Sequence, residues 1–493
     1  MTIAKTAAGA VLGAEVGDAI LAWKGIPYAA APLGPLRLRL PQPAASWMGV
    51  RDATVYGPPS VQAPRQLPGL LAGSELPDPS EDCLYLNVTA PANASGRPVL
   101  VWLHGGGYFN GSGTDMAGDG SSFVRSHGAV VVTVNYRLGA LGFLAVDGEA
   151  HTGAYGLHDQ IAALRWVREN IAAFGGDPEQ VAVYGLSAGA KSVANLLGSP
   201  LTRGLIHRAA SSSGGAERVA TPRQAASVAR RFLRELGGRA ELIRSAPVAE
   251  ILAAQNAIAG GVRATWIWRP ALDGLALTAR PLDAIAAGSA AGIPLLAQTC
   301  AEECAAYQMI APDTADQTDR ILTKNFGSAG CEQILAAYAA SRPELANNPA
   351  QLRVAVMTDE RYGIPTTRLA DTQSAYARVW RSRYDGPLNI PPGLGLPEGV
   401  LPAVHGSDGI PIWNGGDDLA SALHEAWGEF IVGRAPAAAG LPEWPSYTVD
   451  RRATMIFDRA GSRMAYDPLG AERAVWDGRE WPSGTWWEFD EVE

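Results

Sequence analysis

Apolar residues fall along this chain in short unbroken runs that end in glycine-bearing turns, and in longer stretches where they recur at helical spacing. Val181-Ala182-Val183-Tyr184 is one such run. It ends in Gly185-Leu186-Ser187-Ala188-Gly189 and leads at once into a helix-like stretch from Ala188 to Leu197. Pro98-Val99-Leu100-Val101-Trp102-Leu103 is a second, ending in His104-Gly105-Gly106-Gly107-Tyr108, and Ile293-Pro294-Leu295-Leu296-Ala297-Gln298 is a third. Short apolar runs without alternation predict strands buried on both faces, which belong in a parallel sheet covered by helices. Residues 221–290 and 313–384 are expected to be helical insertions lying over the strand ends. The predicted class is α/β, a large and mostly parallel central sheet flanked by helices, forming one domain over residues 1–493. No internal repeat, low-complexity tract or long polar linker divides the chain.

The order strand, tight turn, helix around Ser187 is that of a nucleophile elbow. Glycines are needed at its flanks because the turn is sharp and a Cβ would strike the neighbouring strand or helix. Ser187 is therefore the candidate nucleophile. Acyl transfer also needs backbone N–H groups facing the developing oxyanion, and a glycine triplet leaving a strand supplies them. Gly106, Gly107 and the amide of Ala188 are the candidate oxyanion hole. Together the two motifs predict an α/β-hydrolase fold, on which an acid and then a histidine follow the nucleophile. Of seven histidines, only His207, His405 and His424 lie beyond Ser187. His207 comes too soon to leave room for an acid, and His424 falls in a stretch of helical periodicity that reads as a surface or packing position. His405, in the loop Val404-His405-Gly406-Ser407-Asp408, is the candidate base. After the run ending at Gln298 the next carboxylates are Glu302 and Glu303, and spacing does not separate them.

Several longer segments carry a family resemblance. Trp23-Lys24-Gly25-Ile26-Pro27-Tyr28-Ala29, Ser80-Glu81-Asp82-Cys83-Leu84-Tyr85-Leu86-Asn87-Val88, Asn135-Tyr136-Arg137-Leu138-Gly139 and Ala173-Phe174-Gly175-Gly176-Asp177-Pro178 all lie on the approach to the elbow. With them the chain resembles the type-B carboxylesterases, which include bacterial p-nitrobenzyl esterases and the cholinesterases, across nearly all its length. The resemblance implies Glu303 as the catalytic acid and His405 as the base. It also implies Ser213 as a hydroxyl that helps hold the glutamate, with a plain turn serine as the alternative, and buried ion pairs Arg37–Glu81 and Arg137–Asp159. Two departures stand out. The family's glycines around the acid are replaced by Gln298 and Cys304, so the loop carrying Glu303 is expected to follow a different path. Lys191 replaces a small residue one turn past the nucleophile and is read as plain surface, with a bearing on the electrostatics of the site as the alternative.

Composition excludes more than it adds. A net charge of −9 with scattered cations gives no footprint for nucleic acid, and no run approaches the ~18 apolar residues of a membrane span. Residues 1–14 lack a compact apolar stretch, so a signal peptide is not expected. Four cysteines stand at 83, 300, 304 and 331, none of them upstream of Cys83 to close the disulfide loop of secreted relatives, which favours a reducing, cytoplasmic setting. The spacing of Cys300 and Cys304 matches no common zinc arrangement. The expected protein is a serine carboxylesterase acting on neutral esters through an acyl-enzyme. It is expected to need no cofactor or metal, to take a small-molecule ester as its partner rather than nucleic acid or membrane, and to be a monomer or weak homo-oligomer. Carbamate, amide or thioester hydrolysis and acyl transfer use the same residues and stay open. A non-catalytic binding protein of this fold is disfavoured by the intact nucleophile. Choline esters are expected to be poorer substrates than neutral ones, because Leu186 stands where cholinesterases carry glutamate and no aromatic residue lies between Gly57 and Ser80.

Overall fold

The structure is a computed structural model. It describes residues 1–481 except 18, 64–76, 116–119, 147, 239, 260–266, 311–313, 346 and 391–398. Parts of both predicted insertions, and most of the aromatic-free stretch between Gly57 and Ser80, therefore lie outside the described residues.

The three apolar runs of the sequence are strands of one sheet. In chain order its parallel members are β1 (Arg97–Leu103), β2 (Val130–Val134), β3 (Gly176–Leu186), β4 (Arg208–Ser212), β5 (Leu295–Cys300), β6 (Val379–Tyr384) and β7 (Ala453–Phe457). In space they run β2-β1-β3-β4-β5-β6-β7. Antiparallel strands extend both edges, Tyr85–Pro91 beside β2 and Arg463–Tyr466 beside β7. Side chains alternate between two cores, one on each face of the sheet. Val99, Val101 and Leu103 of β1 join Val181 and Val183 of β3 on one face, while Leu100 and Trp102 join Ala182, Tyr184 and Leu186 on the other.

Helices α1 (Tyr155–Asn170) and α2 (Ala188–Gly198) cover the first of these faces. Every residue of α2 is buried, because it packs on β1, β3 and β4 and against the helix Pro281–Ala286. The first predicted insertion contains α3 (Pro222–Glu235) and α4 (Val248–Ile258). The second contains α5 (Thr314–Ser341, broken at Gly327 by a left-handed φ of 72°), α6 (Pro349–Thr358) and α7 (Ile364–Ser374). Its end departs from expectation. Residues 379–384 form β6, a central strand paired with β5 and β7, although their sequence carries two arginines and lacks an apolar run. Arg381 is buried there by donating to the carbonyls of Ala297 and Ser382 and to Thr299 Oγ1.

The expected ion pairs are formed: Arg37 Nε lies 2.7 Å from Glu81, and Arg137 makes bonds of 2.8 and 2.7 Å to Asp159. Removing one partner of a pair so buried typically costs about 3–5 kcal/mol.

Candidate active site

The carboxyl ends of β1, β3, β4 and β5 point the same way, and every candidate residue but His405 follows directly from one of them. In register, Leu103 lies beside Gly185, Leu186 beside Ser212, and Ser212 beside Gln298. Ser187 sits at the turn from β3 into α2 with φ 58° and ψ −117°, a conformation that a side-chain-bearing residue adopts only under constraint. The constraint is steric. A Cβ on Gly185 would fall 2.2 Å from the backbone of Gly189, and one on Gly189 would fall 2.0 Å from the Leu103 carbonyl. Strand and helix are thus wedged together by two missing side chains, which pushes the Ser187 hydroxyl out of the turn.

His405 Nε2 lies 2.7 Å from Ser187 Oγ, and its Nδ1 lies 2.6 Å from Glu303 Oε2. With Glu303 ionised, Nδ1 must carry the proton that it donates, leaving Nε2 to accept from the serine hydroxyl. The other glutamate oxygen accepts from Ser213 Oγ at 2.7 Å and from the Cys300 amide at 2.8 Å. Glu303 is fully buried. The His405 amide donates to the Glu303 carbonyl, tying the two loops together, and the Tyr362 ring stacks on the imidazole with centroids 4.6 Å apart. Glu302 faces the other way, 3.6 Å from Arg342, and burial raises its pKa. Of the two glutamates, only Glu303 is brought to His405.

Gly106 and Gly107 both adopt positive φ, 102° and 63°, just after β1. A Cβ at Gly106 would lie 2.1 Å from the Asn110 carbonyl. Among the described residues the amides of Gly106, Gly107 and Ala188 donate to no protein acceptor, which leaves them available to an oxyanion.

The departures from the family pattern are absorbed locally. Gln298 donates to Asp408 Oδ2 at 2.6 Å and accepts from Ser382 at 2.8 Å, while Ser212 donates to the same Asp408 oxygen. Burial raises the Asp408 pKa, and these two donors oppose the shift. Cys304 packs with Tyr307, Met357 and Tyr362. Glu303 keeps its place between these two substitutions.

Lys191 corrects the sequence reading. It is only 4% exposed, with its Nζ 4.3 Å from the Tyr362 ring centroid. It lies on a helix whose whole circumference is covered, so no solvent face exists for it to reach. His207 is partly exposed and accepts from the Val181 amide, and His424 is buried with its Nδ1 2.8 Å from the Ile412 carbonyl. Neither approaches the site. Tyr362 was not foreseen; it comes from a segment with no motif, and only the fold brings its ring onto His405.

Comparison with known proteins agrees with the fold. The carboxylesterase family model matches residues 1–476. The chain is 38% identical to the para-nitrobenzyl esterase of Bacillus subtilis (strain 168), over 88% of this chain and 91% of that protein. It is 31% identical to phenmedipham hydrolase of Pseudarthrobacter oxydans, over 94% and 97%. A solved Geobacillus stearothermophilus carboxylesterase superposes with a TM-score of 0.83 at 34% identity, covering 97% of this chain and all of that one. A solved PNB esterase gives 0.82 at 34%, covering 96% and 99%. The chain belongs to the carboxylesterase family and is a carboxylic ester hydrolase of the α/β-hydrolase fold.

Proposed function

We propose that Ser187, His405 and Glu303 form the catalytic triad of this esterase, with Gly106, Gly107 and Ala188 as its oxyanion hole. Ser187 Oγ attacks the ester carbonyl as its proton passes to His405 Nε2, and the carbonyl oxygen takes the negative charge opposite the three amides. The C–O bond to the alcohol then breaks, His405 returns the proton to the departing oxygen, and the acyl group remains on Ser187. A water molecule repeats the sequence: it gives a proton to His405, attacks the acyl carbon, and releases the carboxylic acid as Ser187 regains its proton. Glu303 stays ionised throughout. It holds Nδ1–H and stabilises the imidazolium, and Ser213 and the Cys300 amide keep its other oxygen in place.

The observation that carries this reading is the unbroken hydrogen-bond chain, 2.7 Å from Ser187 to His405 and 2.6 Å from His405 to Glu303. A reducing, cytoplasmic compartment belongs to the same reading, supported by four cysteines that are all free and buried. The test is covalent. A fluorophosphonate probe followed by peptide mass spectrometry is expected to give one adduct, on Ser187, whereas an adduct on another serine with Ser187 unmodified would refute the assignment.

A further inference from the structure

His405 is held through its two nitrogens, and those two bonds leave one motion free. Nδ1 meets Glu303 at 2.6 Å and Nε2 meets Ser187 at 2.7 Å, so neither bond resists rocking of the imidazole about the line that joins them. Contact with the faces of the ring does resist it. Tyr362 stacks on the imidazole with centroids 4.6 Å apart and planes 29° from parallel, and Tyr307 leans on it at 5.6 Å and 37°. Aromatic faces attract at particular tilts and offsets, so the two rings set an orientation that aliphatic side chains filling the same space would leave loose.

The two tyrosines are themselves fixed. Both are buried, and their hydroxyls lie 2.9 Å apart, joining the rings tip to tip. Lys191 Nζ lies over the Tyr362 ring, which gives the buried lysine a place in the same assembly. Tyr307 belongs to the short helix Ala305–Ile310, which begins two residues past Glu303. Tyr362 stands on Asp359–Gly363, a single π-helical turn between α6 and α7 in which the Ile364 amide donates to the Asp359 carbonyl five residues back. Such turns are rare and recur at functional sites. Burial raises both phenol pKa values, that of Tyr362 to about 12, so the pair stays neutral beside a ring that gains and loses a proton in every cycle.

We propose that Tyr362, buttressed by Tyr307, is a positioning residue that fixes the plane of His405 for deacylation, the half of the reaction in which the histidine has lost its bond to Ser187. The proposal rests on the triad reading above. In the free enzyme the serine hydroxyl donates to Nε2 and helps to hold the ring. Once the serine oxygen carries the acyl group it has no hydrogen left to donate, and the Glu303 bond and the two ring contacts hold the imidazole until a water molecule reaches Nε2. Loss of the Tyr362 ring is therefore felt less in acylation, where Ser187 still anchors Nε2, than in deacylation, where it does not.

The test uses the intact enzyme with p-nitrophenyl butyrate, whose good leaving group makes acylation fast, so that kcat reports deacylation and kcat/KM reports acylation. Rates are taken per fluorophosphonate-reactive Ser187, which leaves misfolded molecules out of the count. Tyr362→Leu is expected to lower kcat at least tenfold with kcat/KM within threefold of wild type, and mass spectrometry of enzyme quenched during turnover is expected to show the butyryl group accumulated on Ser187. Tyr362→Phe keeps the ring and loses only the hydroxyl bond, and should stay within threefold of wild type in both constants. Should Tyr362→Leu give no reactive enzyme, Tyr307→Leu is held to the same split, with kcat down at least fivefold and kcat/KM within twofold. Equal losses in kcat and kcat/KM, a kcat within threefold of wild type in Tyr362→Leu, or a Phe variant as impaired as the Leu variant would overturn the proposal. Failure of the triad reading looks different: no fluorophosphonate adduct on Ser187 of the wild type, and no butyryl group there in any variant.

Discussion

The ends of β3 and β5 hold the groups proposed as nucleophile and acid by opposite means. At the end of β3 backbone meets backbone: Gly185 and Gly189 leave no space for a Cβ, and Ser187 is forced into a left-handed conformation. At the end of β5 the two positions where relatives carry glycine are filled by Gln298 and Cys304, yet Glu303 still lies 2.6 Å from His405. There, position is set by side chains. Ser213 and the Cys300 amide hold the carboxylate, while Gln298 and Ser212 anchor Asp408 three residues beyond the histidine. A serine fixed by backbone packing tolerates no added Cβ at its flanking glycines, and an acid fixed by hydrogen bonds tolerates any substitution that leaves the bonds standing.

The sharpest way to break this comparison is to add one carbon at the elbow. Gly189→Ala puts a Cβ 2.0 Å from the Leu103 carbonyl, and the expected outcome is loss of more than about 4 kcal/mol, read as little or no soluble folded protein. Normal yield and melting temperature would show that the elbow has slack. Ser187→Ala keeps the turn and removes the nucleophile, so the fold should persist by circular dichroism while kcat falls by about 10⁴-fold or more.

The same contrast explains what could be read from the sequence. The elbow and the oxyanion loop are legible because backbone collisions demand glycine at fixed spacing, which five or six consecutive residues record. His405 followed by elimination. Glu303 was separated from Glu302 only by family resemblance, since the choice depends on which carboxylate a distant loop meets. Lys191 was misread because Ala188–Gly198 contains lysine, serine and asparagine and looks amphipathic, whereas helix and sheet cover every side of it. Residues 379–384 were misread because a strand with two arginines lacks the apolar run that marks its neighbours.

Smaller changes probe the β5 side. Gln298→Gly removes one of the donors to Asp408 and is expected to destabilise by about 1–3 kcal/mol. Asp408 has a folded pKa raised above its ordinary 3.8, so the unfolded chain releases that proton first and stability contributed by this group falls as pH rises. Losing a donor to the ionised form deepens that fall. The melting-temperature gap between wild type and Gln298→Gly should therefore be wider at pH 7 than at pH 4, and a gap that narrows would reject the role given to Gln298. Cys304→Gly restores the family residue at the other position; a loss of about 1–2 kcal/mol, typical of one small core truncation, is expected with kcat within tenfold of wild type.

The adjacent glutamates offer the most direct measurement of all. Glu303→Gln leaves an amide that cannot stabilise the imidazolium, and kcat is expected to fall by about 10²–10⁴-fold with the melting temperature little changed. Glu302→Gln, altered only where it faces Arg342, should keep kcat within threefold. Comparable losses in the two variants, or a larger loss in Glu302→Gln, would contradict the claim that Glu303, His405 and Ser187 act as one hydrogen-bonded unit.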